Sequence, residues 1–462
     1  MNNKFALTEG DRRLSSAIRV LFVSYTFPPD AAVGGLRISR LCRYLPQHGI
    51  EPVVLSVQEK FYDRLDYTVT LPPQLRVQRT GALLTPLDWY RRAKQLFSRK
   101  AANQYIDNGR GGDPAFFRRQ ALALLEIPDP YWGWYFPAVK AGVKLIEELN
   151  IDVIFSSGPP WISHLIAKQL KNRHNLPWIA DFRDPWAHFL PEAKGPQWRH
   201  RLQERLEDQS IRSADLVICN TDRLRQAFEK QYGELDSSKF RTLTNGYEDA
   251  QNSTPAKLPA DKRVFLHLGS IYGLRRIDTF LEAIANLIRS GRLDPKGFNL
   301  VFQGDLSPGF MVAAEKNVRD LKASGCLEFR SRVNRDEAQT VLWNADMLLL
   351  FQGNHELQVP AKFYEYLQTG IPIFAVTEDG ALTDLLTSTR SGLWASPSDC
   401  SQIADRFLQV LQLPHRSPAY VQSNLSSQYH CVELTAKFSE WVQEVARRRA
   451  NPKTALASPV AF

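Results

Sequence analysis

Short apolar runs alternate with longer stretches of helical hydrophobic period along most of this chain. Ile18–Ser24 (IRVLFVS) is apolar almost throughout, the segment from about Leu36 to His48 repeats its apolar residues every three or four positions, and Glu51–Ser56 is apolar again. A run without polar alternation reads as a strand covered on both faces, as in a parallel sheet. The same βαβ beginning recurs less regularly at Asp152–Ser156, Trp178–Asp181 and Ala214–Asn220, with amphipathic helices between. The pattern predicts a doubly wound α/β domain.

Between about 78 and 135 the alternation breaks, and the stretch reads as a helical, basic and aromatic insertion. Such insertions commonly serve a variable partner. At Leu243–Asp249 (LTNGYED) an Asn-Gly turn opens a polar run to Lys262 that reads as a linker. A second α/β series follows: strands at Val264–Gly269, Phe298–Gln303 and, more weakly, Cys326–Phe329, with helices at Asp278–Arg289 and Arg335–Asn344. Asp346–Phe351 and Ile371–Val376 then flank a helix beginning at Pro360, and Leu434–Arg447 is the last strong helical pattern. The expected division is a first Rossmann-like domain over 17–247, a second over 260–425, a closing helix over 426–448, and flexible tails at 1–16 and 450–462.

Composition narrows the class. A chain of 462 residues exceeds one ordinary core. The five cysteines, at 42, 219, 326, 400 and 431, are scattered without ligand spacing, so they read as reduced packing residues and no structural zinc is expected. No apolar run approaches the roughly 20 residues that cross a bilayer, and the polar start MNNKFALTEGDRR lacks a signal-peptide stretch, so a cytoplasmic location is expected. The formal charge of +9 favours anionic partners. Nucleic acid fits worst, because no zinc-finger, RRM or KH signature is present. Basic residues concentrate between 89 and 119, interleaved with Trp89, Tyr90 and Phe97. That suits a peripheral contact with anionic membrane, and equally a solvated helical face.

Candidate chemistry gathers at strand ends. In Val359–Pro372 (VPAKFYEYLQTGIP), Pro360 is expected at the first helical position, Lys362 in the first turn, Glu365 about a turn later and Gly370 at the close. This arrangement reads as an anion-binding helix start with a carboxylate placed for sugar hydroxyls. In YTFPPDAAVGGLR, Gly34 and Gly35 allow close backbone approach and Arg37 stands where an anion would be held; a plain turn is the competing reading. IADFRDPW brings Asp181, Arg183 and Asp184 to a strand end, for a substrate role or for an Arg–Asp brace. His164 reads as packed. LGSIYGLRRID carries Gly269, Ser270, Arg275 and Arg276, whose arginines could neutralise a diphosphate. Gly304 and Val333 lie at the same edge.

Read in order, SYTFPP…GG…R, IADFRDPW, LTNGYED, LGSIYGLRR and VPAKFYEYLQTGIP resemble the glycosyltransferase family 4 group of GT-B enzymes over about 17–445. SGPPWISHL and PDPYWGW look like segments of the subgroup that builds bacterial surface polysaccharide and lipopolysaccharide. The resemblance implies two Rossmann-like domains facing a cleft, with the C-terminal helix crossing back to the N-terminal domain. It implies retaining, metal-independent transfer from a nucleoside diphosphate sugar, a co-substrate rather than a cofactor, to a lipid-linked or polysaccharide acceptor at the inner face of the cell membrane. By resemblance, Gly34 and Gly35 approach the donor phosphates, with Arg37, Gly269, Ser270, Arg276, Gly304, Val333, Val359, Pro360 and Lys362 on the donor side. Glu365 binds ribose and Arg275 stabilises the departing diphosphate. Arg183 falls where many relatives carry a His near the transferred sugar, with Asp184 beside it. Two departures stand out: Ser270 replaces the family's Arg, and Leu357 replaces the first Glu of E-x7-E, with Glu356 one place away. They imply either a modified donor site or a catalytically silent partner subunit that binds nucleotide or glycan. A nicotinamide oxidoreductase is disfavoured because the glycine fingerprint is absent.

Overall fold

The structure is a computed structural model and describes residues 17–85, 126–189, 196–248, 262–271, 277–305, 315–333, 335–353, 355–412 and 426–450. The chain divides into two compact units. One runs to residue 243, apart from 221–223, and resumes at Thr435; the other holds 221–223 and 244–434.

The first unit is built on a seven-stranded sheet of β1 (Ile18–Val23), β2 (Ile50–Val57), β3 (Arg76–Thr80), β4 (Val153–Gly158), β5 (Trp178–Phe182), β6 (Leu216–Cys219) and β7 (Phe240–Thr242). The order is β3-β2-β1-β4-β5-β6-β7, with every neighbouring pair parallel. In register, Val20 faces Pro52 on one side and Val153 on the other. The continuous apolar runs of β1 and β4 are explained by cover on both faces, which stabilises each buried Phe or Val by about 1.5–3 kcal/mol. Phe22 and Phe155 pack at 4.8 Å, and Phe438 of the last helix, Cys431–Ala450, lies 6.4 and 5.2 Å from them. From Thr435 that helix belongs to the first unit.

The second unit holds a six-stranded sheet of β8 (Arg263–Leu268), β9 (Phe298–Gln303), β10 (Leu327–Arg330), β11 (Met347–Phe351), β12 (Ile373–Val376) and β13 (Gly392–Ala395). Its order, β10-β9-β8-β11-β12-β13, is parallel throughout. This is the doubly wound arrangement in which the strand order reverses between β8 and β11, the place where open sheets receive ligands. Helices Asp278–Arg289 and Cys400–Leu411 cover one face through Phe280 and Phe407, which meet Phe265, Phe351 and Phe374. Phe363, Tyr364, Tyr366 and Leu382 belong to the core of the opposite face.

The helix expected over Leu36–His48 begins earlier, at Val33, and gives way to a 3-10 turn at Leu45, where Pro46 removes an amide donor. The expected insertion from 78 starts inside β3, and its basic stretch at 89–119 lies outside the described residues. None of the five cysteines is in a disulfide, and four of them are buried. Among the described residues no helix is long and apolar enough to cross a membrane.

Candidate functional site

In the second unit, the ends of β8 and β9 run into two glycines that lie against each other. Gly269 donates to Gln303 O at 2.7 Å and Gly304 to Arg330 O at 2.9 Å, so both extend their ladders by one residue. They do so at φ +119° and +144°, angles open to glycine and strained for other residues. A Cβ on Gly304 would lie 2.5 Å from the Gly269 carbonyl carbon, and one on Gly269 would overlap Nζ and Cε of Lys362. The Lys362 ammonium therefore rests directly over bare backbone at the strand end.

Lys362 reaches there from helix Ala361–Leu367, which follows β11 on the other side of the strand-order reversal. Tyr366 of the same helix fixes the spacing: its buried hydroxyl accepts from Leu268 N at 2.9 Å. Burial raises the phenol well above its usual range, so it stays neutral. Glu365 is half-buried, and none of the described hydrogen bonds or ion pairs uses its carboxylate. Before the helix, buried Gln352 donates to His355 O and Gln358 O at 2.8 and 2.9 Å and so folds the loop leading to Val359. Val359 is buried and Val333, after β10, is half-buried. Ser270 is followed by a bond from Ile271 N to Asp305 O at 2.9 Å. Arg275 and Arg276 lie outside the described residues.

Two expectations change. Pro360 is the cap, with φ −59° and ψ 134°, not the first helical residue, and the helix has seven residues. So short a helix adds little dipole, and the positive charge at this edge is the Lys362 ammonium. Near the E-x7-E position, Leu357 is half-buried and Glu356 is exposed; the Glu356 carbonyl accepts from Ala381 N at 2.7 Å. Glu356 thereby anchors the start of helix Ala381–Thr389 through its backbone.

In the first unit, β1, β4 and β5 bring a second cluster to their C-terminal edge. Arg37 was expected to hold an anion, and the structure corrects this. It is buried, pairs with Asp181 through Nε–Oδ2 at 3.0 Å and Nη2–Oδ1 at 2.8 Å, and also donates to Leu243 O at 2.7 Å. The Arg–Asp brace exists, with Arg37 as the arginine. Ser157 Oγ donates to the same carboxylate at 2.7 Å. Arg183 donates to Ser157 Oγ at 3.2 Å and to Pro159 O, and its Cζ, Nη1 and Nη2 each lie 2.6 Å from where a Gly34 side chain would begin. Gly35 is needed for a different reason, since its Cβ would press on the Phe27 backbone at 3.1 Å. What the two glycines accommodate is thus the chain's own Arg183 and Phe27. Burial pulls the Arg183 guanidinium below its usual range, against the opposing pull of Asp181 and Asp184. Asp184 is half-buried. His164 is packed as expected: fully buried, bonded to Ser156 Oγ at 2.8 Å, with burial depressing its pKa to about 3.

Gln352 and Tyr366 are contributors that sequence reasoning passed over, and Ser157 was noted only as the first residue of SGPPWISHL. Tyr366 lies inside the stretch that drew attention, yet its partner is 98 residues away, and no local pattern reveals such a bond.

Comparison with known proteins agrees with both units. A model of Glycosyltransferase Family 4 matches residues 109–251 and one of Glycosyl transferases group 1 matches 262–413. A D-inositol 3-phosphate glycosyltransferase from Nocardioides sp. is 24% identical over 286 residues, 57% of this chain; the match spans 60% of that relative's length. Among solved structures, Anabaena HepE in complex with UDP aligns at TM-score 0.63 and 14% identity, covering 92% of this chain and 100% of that one. Sucrose-phosphate synthase from Thermosynechococcus elongatus aligns at 0.62 and 16%, covering 93% and 99%. The lipopolysaccharide outer core galactosyltransferase WaaB aligns at 0.58 and 12%, covering 92% and 99%. At such identities these likenesses concern the fold, which is GT-B. Each of the two parallel Rossmann-like units thus carries a glycosyltransferase match, the first to the family 4 model and the second to the group 1 model.

Proposed function

We propose that this chain transfers a sugar from a nucleoside diphosphate sugar to an acceptor hydroxyl, with retention and without a metal. The observation that carries the reading is the stack of Gly304, Gly269 and Lys362 at the strand-order reversal of the second sheet. Bare backbone lets a phosphate approach closely, and an ammonium above it offsets the charge that grows on a departing diphosphate. Glu365, about a turn beyond the helix start, supplies an acceptor for ribose hydroxyls. The acceptor hydroxyl attacks the anomeric carbon from the face that the diphosphate leaves, which keeps the configuration, and its proton passes to the departing diphosphate oxygen, so the step needs little from acid or base groups. Solved relatives of the same fold support the donor class, since HepE is described in complex with UDP and with UDP-glucose. A lipid-linked or polysaccharide acceptor, used in surface-glycan synthesis at the inner face of the membrane, is the finer part of the reading. It rests on the surface-glycan resemblance and on the fold shared with a lipopolysaccharide galactosyltransferase.

Calorimetric titration with a panel of nucleoside diphosphates tests the donor site. Lys362→Met removes a charge-assisted contact worth about 1.5–3 kcal/mol, so affinity for the preferred nucleotide falls about 10- to 150-fold. Glu365→Ala lowers it further for ribose-bearing ligands. Unchanged affinity in both variants would sink the assignment. Nucleotide binding with neither transfer nor hydrolysis of any donor sugar would instead identify the silent partner subunit that Ser270 and Leu357 suggest.

A further inference from the structure

The C-terminal edge of the first sheet holds two guanidinium groups, of which one takes both oxygens of the buried carboxylate between them. Asp181, fully buried, gives both oxygens to Arg37 and also accepts from Ser157 Oγ. Arg183, next along, is left with neutral partners: the Ser157 hydroxyl and the Pro159 carbonyl. It forms no ion pair within 4.0 Å among the described residues, and Asp181 and then Asp184 offset its charge only through space. A half-buried cation whose direct hydrogen bonds go only to neutral oxygens lacks a contacting anion, which is costly unless a ligand completes it.

The position is also built, not incidental. Gly34 leaves the room that the guanidinium fills, and Ser157, itself tied to Asp181, sets the orientation. Two of the five N–H groups of the planar fork are engaged in bonds to Ser157 and Pro159, and a guanidinium fork matches phosphate and carboxylate geometry. The site stands at the end of β5, beside β4, where the first sheet reverses its strand order between β1 and β4. Ligands of open sheets bind outside such ends.

We propose that Arg183 is a receptor for an oxyanion, phosphate or carboxylate, carried by the substrate of this unit, and that Arg37, Asp181 and Ser157 are the residues that position it. This rests on the glycosyl-transfer reading and makes it more specific. Arg183 then recognises an anionic group, in place of the sugar-side role that the resemblance implied for its position. The oxyanion can come from an anionic acceptor or from the donor's diphosphate, and the two sources are separable.

The full chain is treated with phenylglyoxal, and the rate of Arg183 modification is read by peptide mass spectrometry, with half-exposed Arg76 as the reactive reference. Inorganic phosphate is expected to protect Arg183 saturably, slowing its modification about fivefold at four times the dissociation constant, while Arg76 is unaffected. Ser157→Ala should raise the phosphate concentration needed. Protection by UDP as well as by phosphate assigns the oxyanion to the donor's diphosphate. Protection by phosphate, with none by UDP, assigns it to the acceptor. An unchanged Arg183 rate at saturating phosphate overturns the proposal, and so does an Arg183 that never reacts while Arg76 does, because a receptor must be reachable. If Arg183 is protected but Lys362→Gln keeps full nucleotide affinity, the receptor stands and the donor assignment fails.

Discussion

Gly304→Ala is the sharpest single test of how the second unit forms its strand-end floor. The new methyl would sit 2.5 Å from the Gly269 carbonyl carbon and 2.6 Å from its oxygen, where ordinary contact begins at 3.4 Å, so one backbone must retreat by about 0.9 Å. Neither neighbour is a flexible side-chain tip that could swing aside. The φ of +144° adds backbone strain of about 1–3 kcal/mol, and the overlap adds about 1–3 kcal/mol more. A loss of about 2–6 kcal/mol is therefore expected. Gly291 provides the control, because its φ is +68° with nothing within 4 Å of its Cβ position; Gly291→Ala should cost about 1 kcal/mol. Urea unfolding followed by far-UV circular dichroism gives the two costs side by side. Nucleotide titration gives the functional half: a displaced Gly269 carries the Lys362 contact with it, so Gly304→Ala should weaken nucleoside diphosphate binding at least about tenfold, equivalent to about 1.4 kcal/mol. If Gly304→Ala matches Gly291→Ala in both assays, the stacked glycines are not what holds the floor in place.

Three further outcomes follow from buried polar groups. Tyr366→Phe leaves Leu268 N without its acceptor and should cost about 1–3 kcal/mol by denaturant titration, with nucleotide affinity falling in parallel. Arg37→Met strands the Asp181 carboxylate and should cost about 3–5 kcal/mol, with much of that recovered in the Arg37→Met, Asp181→Leu double variant; a single variant as stable as wild type would remove the brace from the account. His164 stays neutral when folded, with its pKa depressed to about 3, while the unfolded chain takes up the proton below about pH 6.5. Unfolded protein therefore binds more protons in that window, stability falls as the pH drops, and the loss from this group reaches about 2 kcal/mol by pH 5. His164→Gln should flatten that part of the stability-against-pH curve, and an equally steep curve would contradict it.

Strands with long uninterrupted apolar runs were legible. Phe298–Gln303 is found with the expected bounds, and β1 differs by one residue. The edge strands β3, β7 and β13 escaped because they are short or half-exposed, so neither continuous apolarity nor clean alternation marks them. Helices Ala381–Thr389 and Cys400–Leu411 were not read either, although their buried faces carry the expected apolar residues. At the candidate sites, residue type was informative and partnership was not. Lys362 and Glu365 were picked out by their spacing from Pro360. The fate of Arg37 depended on Asp181, 144 residues away, and nothing near position 37 distinguishes an anion receptor from half of a buried pair. Gly304 drew little notice alone, because its requirement for glycine arises from the backbone it meets at Gly269.

The placement of residues after Thr435 with the first unit has a consequence for how the gene product can be divided. Apart from 221–223, the second unit lies between two segments of the first, as an inserted cassette, and the ends of that cassette are fastened to each other: Tyr247 N donates to Tyr429 O at 3.1 Å and Cys431 N to Tyr247 O at 2.9 Å. Cutting the chain after 434 would not release two intact halves, since Phe438 would leave the aromatic cluster around Phe22 and Phe155. Excision at both junctions keeps the two hydrophobic cores apart and intact, at the loss of the contacts that Thr221 makes with Leu357 and Arg223 with Asp379 and Asp384. Because the cassette's entrance and exit meet, the corresponding unit of a relative could be exchanged there without rethreading the first sheet.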